Sequence, residues 1–225
     1  MRFLYHPDAG AETIVVEGEA YRHLFRVRRQ KAGEETALRN LNDDGLYTYR
    51  IEKVTRREAT LRLIGSEAVV VMPGNSLHLG WCLVDPKTVE KTLPFLNELG
   101  VGRITFIRCD RSQHNFRLDF ERLRRILINS SQQCGRSRLM ELTECESIDR
   151  FLEAFPQSAV LDFGGEDIRR CEQSFEAVVV GCEGGFSERE RKIFKEKTII
   201  IGMDTPLVLR SETAAISVAA IEGGQ

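Results

Sequence analysis

No stretch of this chain approaches the roughly 18 consecutive apolar residues that a membrane span needs, and the opening MRFLYHP lacks the apolar core of a secretory leader. A soluble, cytoplasmic protein with no membrane partner is expected. The six cysteines (Cys82, Cys109, Cys134, Cys145, Cys171, Cys182) form no C-x-x-C pair, and the four histidines (His6, His23, His78, His114) are scattered. Neither a zinc site nor a disulfide framework is signalled by that spacing, so no metal is expected and the thiols read as free and mostly buried. Also missing are the G-K-[ST] of a Walker loop and the G-x-G-x-x-G of a dinucleotide fold, which disfavours both familiar ways of cradling phosphates. There is no internal repeat and no low-complexity tract.

What is present suits one large domain, or a small one with a medium one: 225 residues, 42% apolar, enough for a real core. A net charge of −2 argues by itself against a nucleic-acid binder, but the charge is uneven. Residues 101–140 hold nine arginines and three acids, whereas residues 141–200 hold fourteen acids and eight basic residues. A second basic cluster, YRHLFRVRRQK, carries Arg22, Arg26, Arg28, Arg29 and Lys31 with Tyr21 and Phe25 interleaved. Two such patches resemble an RNA or phosphate footprint. Ordinary surface arginines explain the composition equally well.

The rhythm of the chain changes near residue 70. Before it, short β-like runs (TIVVEG, EETALRNL, GLYTYRIEKVT, ATLRLIG) alternate with Gly, Asn and Asp turns, with one short helix over about Ala20 to Val27. A small barrel or sandwich is expected over residues 1–72. After a linker at Met72–Asn75, apolar runs without alternation are followed by helical segments: LHLGWCLV, RITFIRC, SAVLDF, AVVVG and TIIIG are the strands. A parallel sheet covered on both faces is expected over residues 73–225.

Two of those strands end in polar junctions. VVVGCEGGFSERE places Gly184 and Gly185 at a tight turn, then Ser187 and Glu190 in a capping-box pattern that starts a helix. At the carboxyl end of a parallel strand, such a turn is where ligands bind, although a lone E-G-G is more often only a glycine turn into a helix. LVLRSETAAISVAA packs Arg210, Ser211, Glu212 and Thr213 behind an apolar run, with Ser211 able to cap a small-sided helix suited to close packing at a chain crossing or a subunit interface.

Seen with MRFLYHP, HLFRVRR, NELGVGRI, DRSQ and QQCGRSRL, in that order along the chain, the junctions GCEGGFSERE and LRSETAA resemble the SPOUT methyltransferases, and within them the family that methylates N3 of a uridine in 16S rRNA. The resemblance implies a PUA-like β-barrel domain for RNA binding, followed by an α/β SPOUT domain whose C-terminal chain forms a trefoil knot, an exception to the no-knot rule. It implies S-adenosylmethionine as cofactor, held by Gly181, Glu183, Gly184, Gly185, Ile201, Gly202, Leu207 and Leu209, with Leu161 as a further wall. It implies 16S rRNA within the 30S subunit as substrate, at the uridine numbered 1498 in the family, and a homodimer. The chain departs from the family pattern at Cys182, where proline is usual, at Phe95, where lysine is usual, and in the seven residues Met203 to Leu209 between Gly202 and Arg210.

Uracil N3 has no available lone pair until its proton leaves, so methyl transfer there needs deprotonation and stabilisation of the imide charge. Arg210 is the candidate for that stabilisation, and Glu212 or water for the base; a helix-N-terminal acid is also what Glu212 would be on structural grounds alone. Arg22, Arg26, Arg28 and Arg29, with Arg111 and Arg136, are candidates for RNA contact, the last two weighed equally against structural ion pairs. Three classes stay open at this point: a uridine-N3 methyltransferase, a ribose 2′-O methyltransferase of the same fold, and a non-catalytic RNA-binding assembly factor.

Overall fold

The computed structural model describes residues 2–74 and 76–223. Of the expected linker, Asn75 lies outside the described residues. Two compact units are found. The first comprises residues 1–72 and also 128–139, and the second the remainder. The change of rhythm near residue 70 marks the main crossover, but the return of 128–139 to the first unit carries no signal in that rhythm.

In the first unit, β1 (Leu4–Tyr5), β2 (Thr13–Glu17), β3 (Glu35–Arg39), β4 (Gly45–Val54) and β5 (Glu58–Ala68) form a sheet in the order β1-β3-β4-β5-β2. The β1–β3 pair is parallel and the others are antiparallel, and the sheet curls into a PUA-like half-barrel. β2 alternates exposed and buried residues, the period-2 pattern of a strand with one wet face. Its inward residues Ile14 and Val16 join Leu24, Leu38, Tyr49, Ile51 and Leu61 in one apolar core. The short helix is α1 (Gly18–Tyr21) running into a π-helical turn at Arg22–Val27.

The second unit is a parallel sheet of β6 (His78–Cys82), β7 (Arg103–Ile107), β8 (Glu141–Cys145), β9 (Ser158–Asp167), β10 (Ala177–Val180) and β11 (Ile199–Gly202), ordered β11-β9-β10-β6-β7-β8. The helices are α2 (Pro86–Glu98), α3 (Phe120–Cys134), which runs on into the segment assigned to the first unit, α4 (Ile148–Ala154), α5 (Glu188–Lys197) and α6 (Ser211–Glu222). Every residue of β6 and β10 is buried, as expected of central parallel strands. β8 and α4 were not read from the sequence, because ELTEC alternates polar residues at a half-exposed sheet edge and shows no apolar run.

The order places β7 on one side of β6 and β10 on the other, so the chain reverses direction across the sheet there, which is the switch point where open α/β sheets bind ligands. β9 adds an irregularity on the same side of the sheet. Ile200 of β11 pairs with Val160, but the next residue, Ile201, pairs with Glu166, so Leu161–Gly165 is thrown out of register as a five-residue excursion.

Candidate functional site

Three chain segments meet at the carboxyl ends of β9, β10 and β11 and enclose a cleft of about 860 Å³. That volume falls in the range of small-ligand sites.

The first segment follows β10. Gly185 N–H donates to the Cys182 carbonyl at 2.9 Å, and Gly185 sits at φ +64°, a left-handed conformation that favours glycine. A side chain there would meet no neighbouring atom within 4 Å, so the backbone lies open to a ligand. Gly184 is exposed but lies against Arg111. Its carbonyl accepts from Arg111 Nη1 at 2.8 Å, and a Cβ on it would lie 3.2 Å from Arg111 Cβ.

The turn then enters α5 through the expected capping box. Ser187 N–H donates to Glu190 Oε2 at 2.8 Å, and Ser187 Oγ accepts from Glu190 N–H at 3.1 Å. Glu190 Oε1 also accepts from Asp110 N–H at 2.9 Å, and Ser187 Oγ donates to Asp110 at 2.6 Å. Burial raises the Glu190 carboxyl above its ordinary range, with those backbone bonds opposing it. The Arg189 guanidinium, then Ser187, hold Asp110 low.

The second segment runs from Gly202 to Arg210. Within it Thr205 N–H donates to the Met203 carbonyl at 2.8 Å and Leu207 N–H to Thr205 Oγ1 at 3.2 Å, and Asp204 pairs with Arg169 at 3.6 Å. Leu207 and Val208 stand exposed at its crest. Arg210 extends into solvent with 85% of its side chain exposed, and its Nη1 lies 3.9 Å from Glu212 Oε1. Ser211 does not cap α6 as expected. The N-cap position is Arg210, with no side-chain cap bond, and Ser211 is the first helical residue. Ser211 is buried, accepting from Trp81 Nε1 at 2.8 Å and donating to the Gly181 carbonyl at 2.5 Å, so it ties the two junctions together.

The third segment is the β9 excursion. Asp162 accepts from Arg191 Nε at 2.8 Å, which anchors it to α5, while Phe163 is exposed. Gly165 and Gly202 are pressed backbone to backbone, since a Cβ on Gly202 would come within 2.7 Å of the Gly165 carbonyl oxygen.

The cleft therefore brings together Leu161, Gly181, Glu183, Gly184, Gly185, Gly202, Leu207 and Leu209, with Arg111, Arg210 and Glu212. Ile201 is not among the lining residues; it is fully buried in β11, behind the wall. Met203 and Val208, within the 201–210 stretch expected to form the pocket, also line the cleft, as do Asp162 and Phe163, which were not read from the sequence. Arg22, Arg26, Arg28 and Arg29 are all exposed on the first unit. The interleaved aromatics turn inward there: Tyr21 is buried with its hydroxyl donating to the Thr55 carbonyl at 2.6 Å, and Phe25 packs on the core. Arg136 is buried, which favours the structural role weighed for it beside RNA contact. Several arginines of the basic segment are engaged by acids, Arg103 by Glu141, Arg122 by Glu90 and Arg138 by Asp44.

Among the described residues there is no group of three or more His, Cys, Asp or Glu able to hold a metal ion, and no helix long and apolar enough to cross a membrane. Residues 72–222 match the RNA methyltransferase domain family, and residues 16–64 the RNA methyltransferase PUA domain. A Helicobacter pylori protein named ribosomal RNA small subunit methyltransferase E is 44% identical over 225 residues, which span 98% of this chain and 99% of that one. The chain belongs to the ribosomal RNA small subunit methyltransferase E family.

Two solved structures share the fold of this family member along nearly its whole length. A Legionella pneumophila methyltransferase in complex with its cofactor SAM is 25% identical, with a TM-score of 0.82 covering 98% of this chain and 96% of that one. The ribosomal RNA small subunit methyltransferase E of Neisseria gonorrhoeae, bound to S-adenosyl methionine, is 20% identical and gives a TM-score of 0.80 over 98% and 95%, a likeness of fold.

Proposed function

We propose that this chain transfers the methyl group of S-adenosylmethionine to N3 of a uridine in 16S rRNA of the small ribosomal subunit, at the position the family numbers 1498. The observation that carries the reading is the convergence of both polar junctions on one cleft in a chain of this family. The cleft fits the cofactor on its own terms. The open backbone at Gly185, the exposed apolar side chains Leu207 and Val208, and the Leu161 wall suit a nucleoside whose base is apolar on its faces and polar at its edge.

Bound S-adenosylmethionine supplies an electrophilic methyl on a positively charged sulfur. The rest falls to the chain. Gly181–Gly185 and Gly202–Leu209 hold and orient the cofactor, so that the reacting atoms meet in line. Arg210, exposed at the rim, carries a positive charge to the uracil oxygen on which the imide charge develops when the N3 proton leaves. Glu212, 3.9 Å from that guanidinium, is placed to take the proton directly or through water. Arg22, Arg26, Arg28 and Arg29 hold RNA phosphates on the first unit, and Arg111 backs the cofactor turn through Gly184.

The same reading includes a C-terminal knot, supported by the pairing of β11 with β9 and by the crowding of Gly165 against Gly202. It includes a homodimer, supported by the small-sided α6, and a cytoplasmic location, where the small subunit is found. Nucleoside mass spectrometry of 16S rRNA from a strain lacking the protein tests it. The expected result is loss of N3-methyluridine, restored by the gene. Intact N3-methyluridine with loss of a 2′-O-methylated nucleoside would transfer the reading to ribose methylation, and an unchanged profile would leave a binding factor.

A further inference from the structure

Beneath the cleft lie three thiols that the proposed chemistry does not use. Cys82 ends β6, while Cys109 and Cys182 follow β7 and β10, and the parallel pairing of β6 with both neighbours brings the three chain ends together. All three residues are buried, and of them only Cys182 lines the cleft. Cys109 Sγ lies 3.5 Å from Cys182 Sγ and 3.1 Å from Ser112 Oγ. Cys182 Sγ also approaches the Gly185 carbonyl at 3.7 Å. The two loops are stitched together on either side of this contact, by Arg111 on the Gly184 carbonyl and by Asp110 on Ser187.

We propose that Cys109 and Cys182 form an oxidisable dithiol, a modification site for hydrogen peroxide, whose disulfide loosens the cleft's hold on its cofactor. The second half of this inference rests on the proposed role of the Gly181–Gly185 turn. Hydrogen bonding with Cys182, Cys82 and Ser112 pulls the Cys109 thiol down from the ordinary range, with burial opposing, whereas Cys182 is pushed up by the same pairing and by burial. In the proposed step Cys109 is the nucleophile and Cys182, which lines the cleft, the resolving thiol. The Cys109 thiolate attacks one peroxide oxygen, the O–O bond breaks, and the hydroxide that leaves recovers as water the proton Cys109 had released. Cys182 sulfur then attacks the resulting sulfenic sulfur, the S–O bond breaks, and the Cys182 proton departs with the hydroxyl as a second water. Two thiols lose two electrons and the peroxide gains them. A dithiol reductant reverses the change.

Closing the bond shortens the sulfur separation from 3.5 Å to about 2.05 Å. The Cys182 sulfur must leave the Gly185 carbonyl, and the turn that keeps Gly185 open is drawn toward the end of β7.

The full chain is titrated with hydrogen peroxide, alkylated and digested without reductant, and S-adenosylmethionine binding is followed by calorimetry in parallel. The expected result is a peptide pair linking residues 109 and 182, with affinity weakened by about tenfold or more and restored by dithiothreitol. Cys109→Ser should bind like the parent and keep its affinity through peroxide treatment. Cys182→Ala, whatever its starting affinity, should show no change on treatment. Circular dichroism melts establish that both variants are folded. Absence of the 109–182 link, a link to Cys82 in its place, or a linked chain with undiminished affinity overturns the proposal. A reduced parent chain that takes up no S-adenosylmethionine yet still forms the link overturns the proposed function and the effect on the cofactor, but not the dithiol.

Discussion

Where β10 ends, the chain is tied down within ten residues: Gly181 to Ser211, Gly184 to Arg111, Ser187 to Asp110, and Glu190 to both Ser187 and Asp110. Where β11 ends, the stretch from Met203 to Leu209 is held by two short-range bonds of its own and by one ion pair on the surface, Asp204 with Arg169 at 3.6 Å, and it leaves Leu207 and Val208 in water. Both stretches line the same cleft. The first is a preformed mould whose shape is determined by a dense set of polar bonds, and the second is an apolar cover that gains most when a ligand shields it. The charged group assigned to the chemistry, Arg210, stands at the end of the loose stretch and not in the rigid one.

The comparison is sharpened most strongly at Arg210. Arg210→Ala should lower methyl transfer by on the order of 10²–10³-fold with RNA affinity nearly unchanged, since it removes charge stabilisation and only one contact of a large footprint. Methyl transfer from labelled S-adenosylmethionine to 30S subunits, with RNA binding measured alongside, reads both effects. Full turnover in this variant would remove the distinction between a holding junction and a reacting one.

The mould is tested at Glu190. Glu190→Gln keeps one oxygen acceptor but turns an amide toward a buried N–H, and it should cost about 1–3 kcal/mol in denaturant or thermal unfolding. The parent should also show a pH signature. Its folded carboxyl titrates above the ordinary 4.5, so the unfolded chain gives up its proton first as pH rises. Stability from this group is thus greatest below about 4.5 and is lost as pH climbs through the folded value, a slope that Glu190→Gln should abolish.

The smallest stability effect belongs to the cover. Leu207→Ser with Val208→Ser should change unfolding by no more than about 0.5 kcal/mol, because both side chains are already exposed. Affinity for S-adenosylmethionine should nonetheless fall by about three- to tenfold in calorimetry, reflecting apolar area that is covered only in the complex. A large loss of stability instead would mean that this stretch is a built wall like the other.

Legibility from the sequence followed the range of the interactions. The capping box at Ser187 and Glu190 spans three residues and was read directly, as were strands whose apolar runs are continuous. Ser211 looked like a cap from its neighbours alone, but its partner is the indole of Trp81, 130 residues away, and that pairing outweighs the local preference. The β9 excursion has no local marker, because its register slip exists only relative to β11. The approach of Cys109 to Cys182 was hidden for the same reason: sequence spacing suggested scattered thiols, and only the parallel pairing of β7 and β10 about β6 brings them together. Arg136 and Ile201 were chosen by motif, and motifs carry no information on burial.

The composition of the first unit also sets a timetable for its birth. Its sheet is complete in sequence by residue 68, yet Arg2 N–H donates to the Gln132 carbonyl, Tyr5 N–H to Gln132 Oε1, and Asp44 accepts from Ser137 and Arg138. Phe3 and Leu41 are buried with Ile128 and Leu139 alongside. At about 5–20 residues per second, the nascent chain spends roughly 3–13 s between Met72 and Leu139 with these partners not yet made. For that interval the first unit has its whole sheet but an apolar flank in water, and that flank can be covered only after much of the second unit's chain has been synthesised.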